Sequence, residues 1–165
     1  MEEPRMKTKT PKLPLTPEEW GNLKRNRITL AQIADLEPEE LARILQVSIN
    51  RGKTLHALAV FQQIPSIGPR FAEDVVGLGY YSLEELQGSD GAKLFDQLEQ
   101  QCGGWIDPCV EDQFRLLVHF ANNPESDKSW WDFTEARKEY RMQHGYPENR
   151  PKTAWNDPAR QEKQT

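Results

Sequence analysis

Six residues, Ile64-Pro65-Ser66-Ile67-Gly68-Pro69, separate two stretches with helical periodicity. Two prolines and a glycine in so short a span exclude a continuous helix and a central strand, because proline lacks the N–H that either structure uses. A tight turn remains. It joins a helix over Leu55–Gln63, with Thr54 as its N-cap, to a helix that opens at Pro69 and carries Phe71, Val75 and Val76. Similar punctuation recurs along the chain. Pro38 suits a first helical position, and Glu39 and Glu40 favour the positive end of the helix dipole. Leu41, Ile44, Leu45 and Ile49 form its apolar stripe, which Gly52 is expected to end. Leu30, Ile33 and Ala34 have helical spacing over Thr29–Asp35. Ser82 and Glu85 form a capping box before Leu83 and Leu86. Leu94, Phe95 and Leu98 follow the turn Gly88-Ser89-Asp90-Gly91. Cys109–Phe120 sets Val110, Phe114, Leu117 and Val118 on one face, and Phe133–Met142 reads as a last, mostly polar helix. With no alternating strand pattern, the expected fold class is all-α, built from short helices stacked as hairpins. Thr29-Leu30-x-x-Ile33 with Leu41 and Leu45 also matches Ser82-Leu83-x-x-Leu86 with Leu94 and Leu98 at a constant offset, as a repeated hairpin would.

The core does not draw on all 165 residues. Apolar residues are 36% of the chain, short of the roughly 45–50% of a globular protein even with glycine added. Pro4, Pro11, Pro14 and Pro17 with scattered charges make residues 1–16 a flexible tail, and residues 143–165 read the same way, with Trp155 as their apolar anchor. The helical domain is expected over residues 17–142. No stretch approaches the ~18 apolar residues of a membrane helix. The first fifteen residues have no secretory apolar core, and two cysteines make no disulfide framework. A cytoplasmic protein with no membrane contact is expected.

Net charge is −5, which at face value argues against nucleic acid as partner. The charge is segregated, however. Residues 41–72 hold Arg43, Arg51, Lys53 and Arg70 and no acid, whereas residues 73–112 hold ten acids against Lys93 alone. The turn lies inside the acid-free window.

That turn resembles the helix-hairpin-helix DNA-binding motif. Small residues let backbone N–H groups face outward, and the helix opening at Pro69 points its positive end the same way, giving an anion site of phosphate size. Arg70 in the first turn opposes the helix dipole, and a phosphate would supply the reason. Ile67 would pin the hairpin and Ala72 would let its helices approach. Ser66, Gly68, Pro69 and Arg70 are the expected phosphate contacts, with Lys53 and Arg51 adding charge. Such a site reads the backbone and not the bases. The resemblance also implies a monovalent cation, Na+ or K+, on the carbonyls of Gln62, Ile64 and Ile67. The motif usually has glycine where Ser66 stands, so its Cβ bears on how closely a phosphate can approach.

The likeness extends further. Ile-Pro-Ser-Ile-Gly-Pro (64–69), Leu78-Gly79, Leu86-Gln87-Gly88, Cys102, Asp107-Pro108-Cys109, Phe114-Arg115 and Trp130-Trp131 occur in an order that resembles the bacterial pathogenicity-locus family of small helix-hairpin-helix proteins, also labelled mitomycin-resistance-like. The resemblance covers about residues 55–133 and implies DNA binding by analogy of motif.

Cys102 and Cys109 lack zinc-finger spacing, and His119 lies nearly three turns beyond Cys109 on one helix, so neither zinc nor catalysis is expected. They read as buried thiols, although Cys109, in a first helical turn after Asp107, could have a lowered pKa. Trp130, Trp131 and Phe133 read as closing a core against Phe114 and Phe120, with base stacking as the alternative. The expected function is non-enzymatic, sequence-independent DNA binding. The alternative is a protein-interaction module with a purely structural hairpin, whose acidic 73–112 segment faces a basic protein.

Overall fold

The computed structural model describes residues 9–158. Within them the fold is all-helical: seven α-helices and three short 3-10 turns, with one isolated parallel bridge between Trp105 and Ala154. The chain divides into two compact units, Met1–Glu85 and Leu86–Thr165, so the single domain expected over residues 17–142 contains parts of both.

The first unit holds α1 (Pro17–Arg25), a 3-10 turn (Leu30–Asp35), α2 (Pro38–Leu45), α3 (Ile49–Phe61) and α4 (Pro69–Gly77). Its core gathers Leu23, Ile33, Leu41, Leu45, Leu55 and Ala59, all buried, with Leu13, Leu15 and Ile28 packed against them. Pro38 and Pro69 start their helices as expected. The helix expected to run from Pro38 to Gly52 does not: it breaks after Leu45, where Gln46 takes a left-handed conformation (φ 57°) and Ser48 accepts a hydrogen bond from the Arg51 N–H to cap the next helix. Gly52 and Thr54 therefore lie inside α3. Gly52 marks a crossing and not an end, because a Cβ there would sit 2.6 Å from the Pro38 carbonyl oxygen and 2.8 Å from the Ala42 Cβ. The segment at Leu30 is a 3-10 turn, closed by Gln32 accepting from the Thr29 N–H at 2.8 Å.

The second unit holds α5 (Gly91–Cys102), α6 (Pro108–Asn122), a 3-10 turn (Trp130–Phe133) and α7 (Thr134–His144); a further 3-10 turn, Glu84–Leu86, spans the division. Asp90 and Asp107 cap α5 and α6 with their side chains. A Cβ on Gly91 would lie 2.9 Å from the Arg115 backbone, so glycine sets the α5–α6 approach. A capped 3-10 turn followed by two helices that cross at a glycine thus occurs twice along the chain, from Thr29 with Gly52 and from Ser82 with Gly91.

Most of the unit's buried polarity comes from the acid-rich stretch. Glu99, Glu111 and Asp112 are at most 1% exposed. Arg150 forks onto Glu99 at 2.9 and 3.0 Å; Arg137 reaches Asp112 at 2.8 Å; Arg141 reaches both Glu111 and Asp96 at 2.8 Å; Arg115 lies 3.3 Å from Glu111. Tyr146 receives Arg141 at 4.2 Å and Arg150 at 3.6 Å over its ring. The Trp105 N–H donates to the Thr153 carbonyl and the Trp155 N–H to the Trp105 carbonyl. Much of the expected 143–165 tail is therefore held in place, because its arginine and tyrosine complete a buried ion cluster. Trp155 anchors it through backbone bonds, and the residue is 39% exposed. Residues 1–8 and 159–165 of the two expected tails lie outside the described residues.

Candidate functional site

The turn between α3 and α4 is built from its buried isoleucines outward. Ile64 and Ile67 are 0% and 2% exposed and hold the turn to the core, and the Ile67 N–H donates to the Ile64 carbonyl at 3.2 Å. Ala72 is fully buried, as close packing of the two helices requires. Between the isoleucines, Ser66 has φ +65°, the left-handed region where the usual glycine would sit without strain. Gly68 is the extended N-cap of α4 (φ −105°, ψ −176°), Pro69 is its first residue, and the Gly68 carbonyl accepts from the Ala72 N–H.

Among the seven described α-helices, the start of α4 alone lacks both a capping side-chain bond and a first-turn acid; α2 and α7 also lack the capping bond but carry Glu39 and Glu40, and Glu135, in their first turns. Thr16, Ser48, Asp90 and Asp107 cap α1, α3, α5 and α6 with side-chain oxygens. At α4 the capping residue has no side chain, and the first turn carries no acid. Among the described residues, a Cβ on Gly68 would meet nothing within 4 Å, so none of them closes the approach to this helix end. Arg70 is exposed on the first turn and attracts the Asp74 carboxylate, whose pKa is nevertheless raised, chiefly by burial. An N-terminal helix dipole with an exposed guanidinium and an open approach can accept an anion.

The other expected contacts are dispersed. Lys53 is exposed on α3. Arg51 is committed elsewhere: it forks onto buried Glu19 at 2.9 and 3.0 Å and donates to the Pro14 carbonyl at 2.7 Å. Its hydrogen bonds hold the Glu19 carboxyl below the usual range. Arg43 lies 3.8 Å from Glu40 with its side chain 77% exposed.

Residues 9–12, expected as part of a flexible tail, lie against the turn. Gln63 accepts from the Lys9 N–H at 3.1 Å and donates to the Lys9 carbonyl at 2.8 Å; Gln62 accepts from the Lys12 N–H at 3.0 Å and donates to its carbonyl at 2.9 Å. Two side-chain amides thus pair with the backbone as a neighbouring strand would. The Lys9 Nζ donates to the Ile64 and Ile67 carbonyls, each at 3.0 Å. Those are two of the three carbonyls assigned by resemblance to an alkali cation. No local pattern in the sequence signals this contact, which joins residues more than fifty positions apart.

The remaining candidates do not assemble. Cys102 is exposed, not buried, and Cys109 is half-buried. Burial, followed by the hydrogen bond and charge of Asp107, raises the Cys109 pKa, opposite in direction to the lowering expected from a first-turn position. His119 bonds to Ser126 at 3.0 Å and packs on Phe133. Trp131 is 58% exposed, edge-on to Trp130, and does not close the core. Among the described residues no group of three His, Cys, Asp or Glu could hold a metal ion, and no helix is long and apolar enough to cross a membrane.

No curated protein and no solved structure matches the chain. A family does. Residues 54–139, which begin within α3, contain the whole turn and end within α7, match the sequence model of the Cdd1 family, described as pathogenicity locus. With just over half of its length covered, the chain belongs to the pathogenicity locus family.

Proposed function

We propose that this protein binds DNA without sequence preference by seating a backbone phosphate at the start of α4. The observation that carries the reading is the open helix end: an extended Gly68 cap, no capping side chain, no first-turn acid, and Arg70 exposed beside it. Ser66 and Gly68 bring the backbone close to the phosphate, Pro69 fixes the helix start, and Arg70 supplies charge, with Lys53 adding to the field. Arg51 drops out of the expected set because its guanidinium holds Glu19. The reading is one of binding, with no catalytic step, and a cytoplasmic location goes with it. The alternative, a basic protein docked on residues 73–112, has less to work with. Asp96, Glu99, Glu111 and Asp112, four of that segment's ten acids, are already paired with arginines of the same chain.

The test is fluorescence anisotropy with labelled duplex, single-stranded and branched DNA at ~50 mM salt, where phosphate contacts are strongest. The double variant Gly68→Val, Arg70→Glu is expected to lose at least tenfold in duplex affinity with an unchanged far-UV CD spectrum, since no described residue lies within 4 Å of a Cβ at position 68 and Arg70 is exposed. Absence of wild-type binding to every DNA form under these conditions would sink the proposal.

A further inference from the structure

The cation expected on the α3–α4 turn conflicts with what the turn holds. The Ile64 and Ile67 carbonyl oxygens converge on one point, 3.0 Å each from the Lys9 Nζ. Two carbonyl dipoles aimed at the same point repel each other, and a positive charge between them removes that repulsion. The lysine is also delivered with precision. The Gln63 side-chain amide grips both backbone groups of Lys9, and the Gln62 amide grips both of Lys12, so the segment carrying the ammonium is fastened at two points. The ammonium is partly buried, and desolvation lowers its pKa. A charge held at that expense fits a role in the turn better than an accidental surface contact.

We infer that Lys9 is the turn's own cation: its ammonium occupies, from within the chain, the carbonyl site that a monovalent metal would otherwise fill. The turn is then independent of alkali metal, and its rigidity depends on residues 9–12 lying in place. This inference concerns only the folding of the turn and stands or falls without reference to DNA.

The experiment is NMR-detected hydrogen exchange of the Ile67 amide, whose bond to Ile64 closes the turn. The full-length protein is measured in KCl, NaCl and tetramethylammonium chloride at matched ionic strength; the last cation is too large to sit between two carbonyls. Wild type is expected to exchange at the same rate in all three salts. Lys9→Met keeps an unbranched stem and loses the charge. In tetramethylammonium its Ile67 amide should exchange about tenfold faster or more, the loss expected for a charge-assisted bond, and KCl or NaCl should restore much of the protection. Lys12→Met is the control, because Lys12 pairs through its backbone and should leave exchange within about twofold of wild type. The inference is overturned by any of four results: a wild-type rate that slows selectively in an alkali salt, unchanged exchange in Lys9→Met, faster exchange in Lys9→Met that neither alkali ion corrects, or an equal effect in Lys12→Met.

Discussion

Ser66 shows how one residue can fit a turn only at a cost. A left-handed conformation disfavours a residue with a Cβ by about 1–2 kcal/mol, and glycine returns roughly half to all of one kcal/mol through its freer unfolded state. Ser66→Gly is therefore expected to stabilise the protein slightly, by about 0.5 kcal/mol, and Ser66→Val to destabilise it by more than 1 kcal/mol, since a β-branched side chain tolerates positive φ least. Urea denaturation followed by far-UV CD reads both. The departure from glycine at this position was legible in the sequence; the φ of +65° that gives it consequence was not. Gly52 was misread for the same reason. Glycine signals a helix end or a close crossing equally well, and only the Pro38 carbonyl 2.6 Å from its missing Cβ distinguishes them.

Among the elements, α7 shows how a polar helix is held without an apolar face. No residue of α7 is fully buried, yet Arg137 and Arg141 reach into α6 and α5 to meet Asp112, Glu111 and Asp96. Arg141 is the centre of this arrangement: its side chain is 8% exposed, it serves two carboxylates, and its guanidinium lies over the rings of Tyr140 and Tyr146. Arg141→Met should destabilise the Leu86–Thr165 unit by about 3 kcal/mol, the low end for breaking a buried pair, because Arg115 remains on Glu111. Lys138→Met, whose partner Glu135 is 91% exposed, should cost less than about 0.5 kcal/mol. Equal denaturation midpoints for the two variants would contradict this account. The helix starts at Pro38, Pro69 and Pro108 were legible because proline acts locally, reinforced at Pro38 and Pro108 by neighbouring acids. The break at Gln46 was not, since a left-handed glutamine leaves no compositional mark and the apolar stripe runs across it.

For the whole molecule, the segregated charge acquires a different meaning once the chain is folded. The acid-rich segment does not simply oppose the basic window, because arginines from residues 115–150 neutralise its most buried acids. The basic window is likewise reduced, since Arg51 holds Glu19. DNA binding through one turn plus Arg70 and Lys53 engages few phosphates. The logarithm of affinity should therefore fall with the logarithm of salt concentration at a slope between about −1 and −3, at ~0.9 per phosphate. A salt titration giving a slope steeper than about −5 would place the contact on another, larger basic surface. Helical content, the turn at residues 64–69 and the segregation of charge could be read from local pattern, because periodicity, capping and turn chemistry act over a few neighbouring residues. The division into two units, the arginines that neutralise the acids, and Lys9 on the turn carbonyls could not. Each depends on groups brought together from positions up to 58 apart, and their pairing is set by the path of the folded chain and by the cost of leaving a buried charge or carbonyl without a partner.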